Sequence, residues 1–161
     1  MSHVDLILEQ WRRERPDLDV EPMGLTGRIK RIGGHITREI ESVLEEHGLN
    51  LASFDVLATL RRAGPPHSLS PGELLENMMV TSGTMTHRID QLERKGWVER
   101  FQNPDDGRGV LVALTHEGFE VVDRAVTDHV DNLARLTGGL SESEFRRLDR
   151  LLTRWLATLE P

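Results

Sequence analysis

Residues 70–114 read SPGELLENMMVTSGTMTHRIDQLERKGWVERFQNPDDGRGVLVAL, and the order of signals in this stretch decides the fold. Ser70-Pro71-Gly72-Glu73 is a capping box with proline at the first helical position, so a short helix opens at residue 71. Thr81 caps a further helix over 82–95, which Gly96 stops. Two runs with strand character follow, Trp97 to Gln102 and Val110 to Leu114. Between them, Asn103-Pro104-Asp105-Asp106-Gly107-Arg108-Gly109 carries the proline and glycines of a hairpin loop. Short helix, tight turn, helix and hairpin is the winged helix-turn-helix order. In such units the second helix enters the DNA major groove while the first crosses the backbone.

The faces of the helix from Thr81 fit that role. Met85, Ile89 and Leu92 recur at i, i+4 and i+7 and point inward, while Ser82, Gly83, Thr84, Thr86 and His87 surround the exposed first turns. Small and hydroxyl side chains let a helix approach closely, donate to phosphates and touch thymine methyls or base edges. The free N–H groups of a helix start attract phosphates as well. Arg108 at the hairpin tip is placed to reach an adjacent minor groove, where narrow A/T-rich segments concentrate negative potential.

Outward from this unit the chain reads as helices. Val4, Ile7, Leu8 and Trp11 share a face over residues 2–14, and Arg15-Pro16-Asp17 ends that helix. A longer helix runs from about Pro22 to His47, with Leu25, Ile29, Ile32, Ile36, Ile40, Val43 and Leu44 on one stripe and Gly48 as its stop. Asn50 caps a helix over 51–63, closed by Gly64-Pro65-Pro66. Beyond the hairpin, Thr115 caps a helix to about Leu136. Ser141 and Glu144 form a second capping box, ahead of a last helix carrying Phe145, Leu148, Leu152, Trp155 and Leu159.

Composition narrows the function classes. With 161 residues and no cysteine, the chain has room for one core and excludes disulfides, thiol redox chemistry and cysteine-ligated metals. Its seven histidines lie scattered without ligand spacing, so no metal and no cofactor is expected. No nucleophile–base pair, phosphate loop or HExxH motif appears, so the chain reads as a non-enzyme. The first residues mix acidic and apolar side chains without a long hydrophobic run, and the location expected is cytoplasmic with no membrane association. A net charge of −7 counts against nucleic-acid binding, but residues 82–110 carry five basic and five acidic groups and form the one neutral segment. Local potential matters as much as the total, and the acidic remainder weakens non-specific DNA affinity.

Leu74-Leu75-Glu76, the run Thr81 to Glu93, Gly96-Trp97-Val98-Glu99-Arg100, Pro104-x-Asp106-x-Arg108 and Val112-x-Leu114-Thr115-x-x-Gly118 together resemble the MarR family signature. The resemblance spans residues 20–160. It implies a mainly α fold with a small β-hairpin (α+β), a winged helix-turn-helix over about 50–115, and dimerisation helices at about 1–48 and 116–161 of a single domain. The wing departs from the family pattern at Asn103, where aspartate is common, and at Gly107, where the first of two arginines stands. The resemblance therefore carries Arg108 over as the groove-reaching residue and leaves the wing's internal salt bridge open. A homodimer on a pseudo-palindromic operator in double-stranded DNA is also implied. Independently, Leu151 and Leu156 widen the last apolar stripe beyond what one copy needs to bury, with Trp155 as an anchor.

Arg88 falls on the inward side of the recognition helix, where an ion needs a partner. Asp55, in an otherwise apolar helix, is the candidate, and a structural bridge between the two helices is the plain reading. The set Trp11-Arg12-x-Glu14-Arg15-Pro16-Asp17-Leu18, Phe54-Asp55-Val56-Leu57-Ala58 and Arg88 is similar to the urate-responsive subgroup of the family. That resemblance implies an effector site of Trp11, Asp55 and Arg88, assisted by Arg62 and Arg100. A planar purine anion such as urate would pair with Arg88 and stack near Trp11, releasing a repressor from its operator. The alternatives are a regulator answering a phenolic or tricarboxylate anion, and a constitutive DNA binder without effector.

Overall fold

A computed structural model describes residues 2–79, 85–104, 107 and 109–160. The expected Thr81 cap and four of the expected DNA contacts, Ser82, Gly83, Thr84 and Arg108, lie outside the described residues. Two compact units result, residues 1–39 and 40–161.

The first unit holds α1 (His3–Glu14) and most of α2 (Glu21–Glu46). Ser2 caps α1 and exchanges hydrogen bonds with Asp5 in a capping box, a signal the sequence reading passed over because aspartate stands where glutamate is usual. Asp5 also binds Arg28 at 2.5 Å, and Arg12 pairs with Glu21. Backbone and side-chain hydrogen bonds from Ser2, then Arg28, hold the Asp5 carboxyl down at about 2. Beneath these bonds Val4, Leu8 and Val20 form a small buried cluster. Trp11 stays 41% exposed on α1.

In the second unit the order is the end of α2, α3 (Leu51–Arg62), β1 (Ser68–Leu69), α4 (Pro71–Asn77), α5 (Met85–Arg94), β2 (Val98–Gln102), β3 (Val110–Leu114), α6 (His116–Thr137) and α7 (Glu142–Leu159). Asn50, Ser70, Thr115 and Ser141 cap α3, α4, α6 and α7 as the sequence predicts, because each accepts the otherwise orphaned N–H three residues on. The strands form an antiparallel sheet in the order β1-β3-β2. β1 is absent from the sequence reading, since two residues, Ser68 paired with Ala113 and Leu69 with Val112, are too few to show a period.

Leu44, Val56, Leu57, Leu60, Leu74, Ile89, Leu92, Val98, Val112 and Val122 are all but fully buried in one core joining α3, α4, α5, α6 and the sheet. Burial on this scale stabilises by about 1.5–3 kcal/mol per large aliphatic side chain. None of α7 is buried. Phe145, Leu148, Leu151, Leu152, Trp155, Leu156 and Leu159 lie 38–64% exposed. Among the described residues, no helix is long and apolar enough to cross a membrane.

Candidate functional site

The recognition helix α5 is held by its apolar face. Met85, Ile89 and Leu92 are buried, and Thr86 and His87 on the other side are exposed. This is the division that the i, i+4, i+7 spacing predicts. His87 Nε2 lies 3.0 Å from Gln91 Nε2, one turn further along the same helix. Arg88 is only 9% exposed, so the inward placement expected of it holds.

Behind α5, the hairpin β2–β3 rises with Arg100 facing Val112 in register. Arg100 on β2 reaches back to α5. Its Nη2 donates to Asp90 Oδ1 at 2.5 Å and to the Thr86 carbonyl at 3.5 Å, while Nη1 pairs with Glu93. Burial works against the cation, but the Asp90 hydrogen bond and the Glu93 and Asp90 charges outweigh it and raise the Arg100 pKa. Arg100 is thus a strut between wing and recognition helix. Asp90 and Glu93, its anchors, escaped the sequence reading, although two acids three apart on a helix are a recognisable signal for a shared cation.

In the loop joining the strands, Asn103 N donates to the Gly109 carbonyl and Gly107 N to the Asn103 carbonyl, both at 2.8 Å. Gln102 Nε2 bonds the Gly107 carbonyl. Gly107 has φ +60°, a left-handed conformation that glycine adopts without the steric cost a side chain would bring.

Asp55 lies half-buried on α3, and its Oδ1 accepts from Met79 N at 3.4 Å, just past the end of α4. Arg62, exposed at the end of the same helix, donates to Thr59 Oγ1 at 3.0 Å and to the carbonyl of Asn77, the last residue of α4. An arginine on a final helix carbonyl satisfies a C-terminal acceptor. α3 packs on both α4 and α5, so Asp55, Arg62, Arg88 and Arg100 all belong to the winged unit. Trp11 belongs to the other unit, on α1. Among the described residues no three His, Asp or Glu side chains gather as a metal site.

A helix pair, α4 and α5, followed by a hairpin and set on α3 and α6, is a winged helix-turn-helix. The MarR family model matches residues 49–110 of it. The chain is 42% identical over 151 residues to the HTH-type transcriptional regulator PecS of Dickeya dadantii, covering 94% of this chain and 91% of that protein. It is 33% identical over 141 residues to the multiple antibiotic resistance protein MarR of Escherichia coli, covering 87% and 96%. Its fold matches Sco3205 of Streptomyces coelicolor, a MarR family regulator solved in complex with DNA, at TM-score 0.77 and 25% identity over 89% of this chain and 91% of that one. It also matches a mutant MarR of E. coli complexed with operator DNA, at TM-score 0.70 and 31% identity over 91% and 97%. The chain belongs to the MarR family of transcriptional regulators.

Proposed function

We propose that this protein is a DNA-binding repressor, acting as a homodimer on a pseudo-palindromic operator and released by a small anion such as urate. One observation carries the reading: α5 exposes Thr86 and His87 at its start and buries Arg88 on the reverse face of the same turn. A ligand charge that engages Arg88 therefore acts on the body that carries the groove-facing side chains. Ser82, Gly83, Thr84 and Arg108 complete the DNA-contacting set in this reading, on the strength of the sequence pattern. Two relatives in the family are solved bound to DNA, which supports it.

The effector set is Arg88 and Asp55, with Arg62 and Arg100 as supports and Trp11 as the stacking surface. Asp55 and Arg62 each bond to the end of α4, and Arg100 bonds to α5. A planar anion drawn to Arg88 and repelled by the Asp55 carboxylate would shift α3 against the helix-turn-helix pair, which is the coupling a released repressor needs. The uncovered apolar face of α7 supports dimerisation through the C-terminal helices.

A gel shift on a duplex selected from a random pool tests this. The operator complex is lost at millimolar urate, and the loss disappears in Trp11→Phe and Asp55→Asn. An operator complex that survives urate overturns the effector, and an unchanged response in both variants overturns the site.

A further inference from the structure

At the end of α5 away from Thr86 and His87, its last turn meets the start of α3. Between them lies a cleft of about 330 Å³, lined by Asn50, Ser53, Gln91, Leu92, Arg94 and Lys95. The lining has two cations, two side-chain amides and a hydroxyl, and no carboxylate among the described residues. Asn50 caps α3 by accepting from Ser53 N at 2.8 Å, so the positive end of a 12-residue helix opens here.

Ser53 is only 8% exposed. Among the described residues its hydroxyl meets no hydrogen-bond partner, and it borders the cleft. Its Oγ borders the open cleft and is available to donate to a molecule seated there. Lys95 is fixed at the rim, its Nζ donating to the Gly48 carbonyl at 2.8 Å and sitting 4.4 Å above the Trp97 ring. Arg94 is exposed and forms no ion pair among the described residues.

We infer that this cleft binds a small oxyanion of the phosphate or phosphomonoester class. Such a group offers several acceptor oxygens around one centre, which matches a hydroxyl, two amides, a guanidinium, an ammonium and a helix start brought together at one cleft. The bound anion bridges α3 to the last turn of α5 and so fastens the recognition helix at the end remote from DNA. It shares no residue with the set of Trp11, Asp55, Arg62, Arg88 and Arg100, so the inference stands apart from the urate reading.

The test is calorimetric titration of the full chain without DNA, using inorganic phosphate, with ionic strength held constant by chloride. Saturable binding at one site per chain is expected, unaffected by excess urate. Arg94→Ala weakens it about tenfold or more, the loss expected for a charged hydrogen bond. Ser53→Ala weakens it too, with circular dichroism confirming the fold. Should Ser53→Ala fail to fold, the exposed Arg94→Ala carries the test alone. The inference is overturned by the absence of saturable phosphate heat, by wild-type affinity in Arg94→Ala, or by displacement of phosphate by urate. It is equally overturned if Arg94→Ala weakens operator binding in phosphate-free buffer, which would make Arg94 a DNA-backbone contact.

Discussion

Gly118 sits where three elements join, and its missing side chain is what allows them to meet. A Cβ built there would lie 1.9 Å from the Trp97 carbonyl oxygen, a backbone atom that has no rotamer by which to yield. Thr115 completes the joint, accepting from Gly118 N at 3.0 Å while its hydroxyl donates to the Gly96 carbonyl at 2.7 Å. Gly118→Ala therefore forces α6 away from the wing and costs about 1–3 kcal/mol, read as a lowered midpoint in urea. Arg100 is the second residue on which the wing depends. Arg100→Gln leaves Asp90 and Glu93 facing each other without their shared cation, and about 1 kcal/mol of stability is lost, the scale of a partly exposed pair. The same variant lets the hairpin move relative to α5, detectable as faster amide exchange in β2.

Among the elements, α6 carries a pH-sensitive contact. His129 packs its ring 5.1 Å from that of Phe54 on α3, and its Nδ1 is buried without a hydrogen-bond partner among the described residues. Burial lowers its pKa below the ordinary 6.5. The unfolded chain thus binds this proton more readily than the folded one. The stabilisation is complete above 6.5 and is lost as pH falls through the lowered value. Moving from about pH 7.5 to about pH 5.5 lowers the melting temperature, and His129→Gln flattens that part of the profile. At the α5 start, Thr86→Ala and His87→Ala are expected to weaken operator binding by about 1–3 kcal/mol where they read a base edge. Gel shifts at fixed salt measure this, and neither exposed substitution should alter thermal stability.

For the whole molecule the decisive surface is α7. A helix whose apolar side is uncovered along its full length is costly in water, and a second copy of the same face would bury it. Under the proposed dimer, Leu152→Asp with Trp155→Glu halves the mass seen by light scattering, to the 18.3 kDa of one chain. Operator affinity then falls with the loss of the second half-site. A species of unchanged mass in that double variant would overturn the C-terminal interface.

Local chemistry made most of the elements legible in the sequence. Caps at Asn50, Ser70, Thr115 and Ser141 act over three residues, and the inward set of Met85, Arg88, Ile89 and Leu92 follows from helical period alone. The helix-turn-helix and its wing were readable for that reason. What only tertiary structure decided involves partners distant in the chain. Ser68 and Leu69 become a strand only when β3 lies beside them, since a two-residue ladder has no pattern of its own. Arg100 becomes a strut only because β2 folds back on α5. The cleft between α3 and the end of α5 exists only because Ser53 and Arg94, 41 positions apart in the sequence, come to line the same cavity. Sequence patterns record what a residue does for its own helix or strand, and packing alone determines which elements share a charge, a hydroxyl or a ligand.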